Sequence, residues 1–245
     1  MATLTRLLVF IRFTLAEYVR SGRILIELMA TVIFWTLFLR QYQVDLQQFF
    51  SITGIFTLLL TLYTTSSLLS LGERPQGYLV LTRPLGRNGY LLGHYFVAVI
   101  IVAIMFGVVA LLTRIVAPPF GWSAAEVFKG ALPLLLNVGL LAALLVLLSS
   151  LVLSNTLRLA VLAMLAIALY SNAWHLWPGF RFIEPLQSLF SWPLYPAIAG
   201  FRLATTREFG SEGPYIMLAQ LALTVLLISL ALSSFKRRDI MLRNQ

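Results

Sequence analysis

The sequence predicts an all-α integral membrane protein with six transmembrane helices, and three observations carry that expectation. Of 245 residues, 60% are hydrophobic and only 11% are charged, against about 25% charged in a soluble globular domain. Uncharged apolar runs long enough for a helix to cross a hydrocarbon core of about 30 Å recur along the chain. Lipid offers no partner for an open backbone, so each such run must be helical.

The elements follow in order. Residues 1–22 read as an interfacial amphipathic helix. On a helical wheel Leu4, Leu7, Leu8, Ile11, Leu15 and Tyr18 share a face, and Arg6, Arg12, Glu17 and Arg20 stand largely opposite, while Val9, Phe10 and Phe13 blur the division. No small-residue cleavage site follows Leu39, as a secretory signal would require. Ser21 and Gly22 form the bend into the first span, 24–40, which is short and carries Glu27; the flanking Arg23 and Arg40 lengthen it by snorkelling. Arg23 and Glu27 are one helical turn apart and read as a partly hydrated structural pair, with a transport site at Glu27 as the alternative. Spans 50–71 and 91–114 are uncharged up to Arg114. From Gly130 to Phe180 only Arg158 interrupts the run, which is too long for one crossing. A turn near Ser154, Asn155 and Thr156 divides it into spans 130–153 and 157–177. The last span is 213–235.

Residues 178–212 form the remaining external segment. Between Tyr170 and Phe201 aromatic residues alternate with Pro178, Pro185, Pro193 and Pro196, so no regular helix runs through. An aromatic belt at the membrane surface is the plain reading. The proline spacing also permits two short helices that dip back into the outer leaflet, which lipid tolerates where protein covers the irregular backbone. No repeat or low-complexity linker divides the chain, so 1–245 reads as one transmembrane domain.

An even number of spans puts both termini on one side. With both in the cytoplasm, twelve Lys and Arg lie inside and six outside, the orientation that the positive-inside rule favours, in a cell (plasma or inner) membrane. The net charge of +9 then reads as attraction to anionic lipid headgroups, and nucleic acid is excluded because no soluble basic domain exists to bind it. Ala160, Ala163, Ala166 and Ala168, with Gly107 and Gly139, allow close helix approach.

The ionisable residues point away from an enzyme. His94 and His175 fall near opposite faces and cannot share a metal. The nine acidic residues include no adjacent pair, and only Glu27 lies within a span. With Lys129 and Lys236 as the only lysines, the pattern GxxxxGK[ST] is absent. Zero cysteines exclude disulfides and thiolate metal sites.

One stretch remains, "GERPQGYLVLTRPLGRNGYLLG" at 72–93, where charge, proline and glycine crowd between two spans. Gln76 to Arg83 make about two helical turns bounded by Pro75 and Pro84. A solvated loop explains the arginines but not the apolar "YLVL" among them. Tyr78, Leu79 and Leu81 supply apolar anchors, and Glu73, Arg74, Arg83 and Arg87 supply charge-assisted contacts for a partner. The ordered set Glu73, Arg74, Gly77, Leu79, Leu81, Pro84, Leu85, Arg87, Tyr90, Leu91, Leu92 and Gly93 resembles the signature of type-2 ABC transporter permeases. The resemblance implies that 72–90 is a coupling helix seated on a separate ABC ATPase subunit, present in two copies. It also implies a second permease, in a homodimer or a related heterodimer, within membrane lipid, and re-entrant helices before the last span as an outer gate, for which Trp174, Trp177, Phe190, Trp192 and Tyr195 are candidates. This chain would bind no cofactor itself; ATP and Mg would sit on the partner. The expected activity is outward movement of a hydrophobic or amphipathic solute. A membrane-embedded enzyme acting on lipid and a non-transporting scaffold or channel are the alternatives.

Overall fold

The computed structural model describes residues 2–40, 44–72, 86–149, 152 and 194–237. Among them the chain is all helical: α1 Ala2–Arg20, α2 Arg23–Phe38, α3 Leu46–Gly72, α4 Gly86–Val116, α5 Ala124–Leu147, α6 Tyr195–Thr206 and α7 Gly213–Arg237. Four of these, α3, α4, α5 and α7, are long and apolar enough to cross a membrane; α1 and α2 together make a fifth if the bent pair counts as one span. The expected span 157–177 lies outside the described residues.

Helix boundaries differ from the apolar runs because a helix does not stop where the bilayer does. α3 starts at Leu46 rather than 50, held by a reciprocal cap: Gln48 N–H donates to Asp45 Oδ1 (2.6 Å) and Asp45 N–H to Gln48 Oε1 (3.4 Å). α5 starts at Ala124 rather than 130, where Ser123 Oγ accepts from Glu126 N–H (3.2 Å), and it ends at Leu147 rather than 153. α4 starts at Gly86, inside the stretch expected to be loop to residue 90.

The bend expected at Ser21 and Gly22 is present. Gly22 has φ 75° and α1 meets α2 at 71°. Open space surrounds the position of its missing Cβ, so conformation rather than crowding demands glycine there. α2 alone is about 24 Å long, and it leaves Leu25, Met29, Ile33 and Phe38 exposed, as a lipid-facing helix does.

α1 bears out part of the helical wheel and corrects the rest. Tyr18 is buried, with Ile11 and Leu15 packed against its cluster; Phe10 and Thr14 join the buried face, while Leu8 is exposed along with Val9 and Phe13. The helix is apolar on two sides because one packs against α4 and the other is left uncovered. Phe10, which blurs the wheel, belongs to the packed face.

The core gathers in three clusters. Trp35, Leu39, Leu46, Phe49, Phe50 and Phe106 pack where α2 ends and α3 begins. Leu69, Leu91, Tyr95, Val146, Ala231 and Phe235 pack at the opposite end. Tyr18, Leu68, Val97 and Ile101 join α1 to α3 and α4. Close approach is made at glycines other than Gly107, beside which a Cβ would meet open space. A Cβ on Gly130 would lie 2.3 Å from the Phe50 ring, and one on Gly54 2.7 Å from Phe201. At Gly130 and Gly54 the neighbouring aromatic ring makes the position a packing glycine.

Candidate functional site

Most residues of the expected coupling segment, Glu73, Arg74, Gly77, Tyr78, Leu79, Leu81, Arg83 and Pro84, lie outside the described residues. Arg87 stands in the first turn of α4. The far end of the same motif is described, and there its residues receive α1. Phe10 of α1 sits over Gly93, where a Cβ would lie 2.3 Å from Cδ1 and 2.4 Å from Cε1 of the ring. The ring is flanked by Tyr90 (centroids 5.7 Å apart) and His94 (5.6 Å). His94 is buried, and its Nδ1–H donates to Tyr90 O (2.9 Å). Leu91 points the other way, into the core shared with α5 and α7. This turn of α4 therefore touches both the N-terminal helix and the core of the spans.

A second polar centre lies beside it. Glu27 is 1% exposed; its Oε1 accepts from Tyr18 Oη (2.7 Å) and from Thr64 Oγ1. The pairing expected with Arg23 is not made. Arg23 Nη1 instead donates to Ser67 O (2.6 Å) and Ser67 Oγ (2.8 Å) on α3, with a longer contact to Ser70 Oγ (3.4 Å). The 71° bend explains the difference: it brings the end of α1 over Glu27, so phenol and hydroxyl donors close on the carboxyl while Arg23 is left to reach α3. The cluster fastens α1, α2 and α3 together toward the C-terminal end of α3.

The outer-gate candidates Trp174, Trp177, Phe190 and Trp192 also lie outside the described residues. Tyr195 opens α6 and is 57% exposed. With Arg202, Glu208 and Glu212 it lines a recess of about 410 Å³ between α6 and the start of α7.

α6 itself is short and deep. Asn137 Nδ2 of α5 donates to Ala197 O near its start (3.0 Å), and Arg207 Nη1 just past its end lies 3.6 Å from Glu126 Oε2. Those two α5 positions are about 16 Å apart along the helix axis, so α6 runs from the Ser123 end of α5 to roughly half its depth. Gln220 of α7 completes the junction: fully buried, it donates through Nε2 to Asn137 Oδ1 (2.8 Å). Gly200 leaves room for it, since a Cβ there would lie 1.9 Å from that nitrogen. Three helices thus meet on two neutral amides. Neither amide carries a charge, so a reading of the spans by charge passes over both. Their signal was there: a lone Asn and a lone Gln, each within an otherwise apolar run.

Among the described residues no three His, Asp or Glu side chains come together as a metal site. Compared with protein-family models, curated proteins and solved structures, the chain matches none.

Proposed function

We propose that the chain is the transmembrane permease subunit of an ATP-driven type-2 ABC exporter. It would move a hydrophobic or amphipathic solute outward, a class that takes in lipids, drug-like molecules, peptides and lipid-linked glycans. The observation that carries this reading is the ordered set of residues from Glu73 to Gly93, with its apolar "YLVL" set among charges between two spans. Packing at the end of the motif supports it, because Gly93, Tyr90 and Leu91 stand where a push on the segment would reach α1 and the core together. The half-depth helix α6 before the last apolar helix supports a re-entrant outer gate.

In this reading the chain has six spans, with both termini in the cytoplasm of a cell membrane, and pairs with a second permease. ATP-driven closure of two partner ATPases brings two coupling helices together and shifts the population of the permease pair toward an outward-open arrangement. α4 carries the movement from its first turns, and the amide junction of Asn137 and Gln220 ties α6 to the spans that move.

Charge reversal tests it. Glu73→Lys and Arg87→Glu should abolish stimulation of the partner ATPase and transport in reconstituted vesicles while leaving insertion and detergent stability unchanged. Unchanged transport by both variants, or a purified chain that recruits no ATPase from its own membrane under several mild detergents, refutes the assignment and favours a scaffold or channel.

A further inference from the structure

A groove of about 750 Å³ opens sideways between α2 and α3. These two helices run beside each other with little direct packing, and the groove between them is two-toned. Ile26, Leu59 and Leu62 line its length and are partly or largely exposed. At the end nearer the 73–85 segment its lining becomes Arg23, Ser67 and Ser70.

Arg23 is the unusual member. It is partly buried, and among the described residues no carboxylate pairs with it. Glu27, one turn away, is occupied by Tyr18 and Thr64 instead. Its guanidinium is nevertheless held, because Nη1 is spent on Ser67 O and Oγ. Among the described residues, Nε and Nη2 make no hydrogen bond. A fixed planar fork with two open donors matches the geometry of a phosphate oxygen pair. The apolar walls that run from it toward the bilayer centre match an aliphatic chain attached to that phosphate.

We infer that this groove binds one anionic glycerophospholipid from the leaflet on the side of the 73–85 segment, its phosphate on Arg23 and an acyl chain along Ile26, Leu59 and Leu62. Charge decides for this occupant. A zwitterionic headgroup brings its own cation to the guanidinium, whereas an anionic headgroup adds only attraction. A protein helix in the groove would fill the apolar length but leave the fork unpaired. The site stands whether or not the chain couples to an ATPase.

The experiment uses the full chain in detergent, titrated with dioleoyl-phosphatidylglycerol, dioleoyl-phosphatidylcholine or inorganic phosphate and read by native mass spectrometry. One phosphatidylglycerol per chain should bind about tenfold more tightly than phosphatidylcholine, because both phosphates reach Arg23 but only choline brings a cation that the guanidinium repels. Arg23→Gln should lower phosphatidylglycerol to the phosphatidylcholine level. Arg12→Gln, on the exposed face of α1, should not. Leu62→Trp, which fills the groove from a partly exposed position, should weaken both lipids, and it decides the matter if Arg23→Gln fails to fold. Equal affinity for the two lipids overturns the inference. So does a phosphatidylglycerol preference that survives Arg23→Gln or Leu62→Trp, or displacement of the lipid by equimolar inorganic phosphate.

Discussion

Gly93→Ala offers a direct test of the contact between α1 and the start of α4. The added methyl would lie 2.3 Å from Phe10 Cδ1, whereas carbon atoms rest at about 3.5–4.0 Å. The ring must therefore retreat by roughly 1.2–1.7 Å. It has little room to do so, since Tyr90 and His94 flank it and it is only 9% exposed. Overpacking of this kind costs about 1–3 kcal/mol, which weakens the docking of α1 by about 5- to 160-fold. The chain has no cysteine, so a single thiol at Thr14→Cys, on the buried stripe of α1, gives a clean reading. Its rate of modification by N-ethylmaleimide in native membranes should rise in that range when Gly93→Ala is added. Phe10→Ala should also raise it, and adding Gly93→Ala to Phe10→Ala should change the rate less than about twofold, because the ring that the methyl would meet is gone. Both must stay below the rate in denaturant for the comparison to hold. An unchanged rate in Gly93→Ala, or full additivity of the two substitutions, refutes the packing argument.

Two further outcomes follow from the helix junctions. Gln220→Leu leaves Asn137 Oδ1 without its donor and should cost about 0.6–1.7 kcal/mol, seen as a lower Tm in detergent; adding Asn137→Leu should cost less than the sum of the two single changes, because removing both partners leaves fewer orphaned groups. Ser123→Ala removes the side-chain cap of α5 and should cost about 1 kcal/mol, with Ser123→Asp close to the parent; equal Tm for Ser123→Ala and the parent counts against the cap.

The membrane class and the places of the long apolar helices were legible because lipid imposes a rule that acts on local composition: about 20 apolar residues make a crossing, wherever the chain then goes. The bend at Ser21 and Gly22 was legible for the same local reason, a glycine between two helical patterns. Helix starts were misread by four to six residues at α3 and α5 because apolar content marks the bilayer, while caps such as Asp45 with Gln48 and Ser123 with Glu126 mark the helix.

What only the tertiary structure decided is which side chains meet. Arg23 and Glu27 are neighbours on α2 and look like a pair, yet the bend brings Tyr18 and Thr64 to the carboxyl and α3 serines to the guanidinium. Gly107 and Gly93 are equally bare in the sequence, but only Gly93 has a ring above it. Asn137 and Gln220 lie 83 positions apart, so no local pattern could pair them. Partition into lipid is a property of each segment alone, whereas a hydrogen bond or a ring contact needs two segments at a set distance and angle, which only their packing supplies.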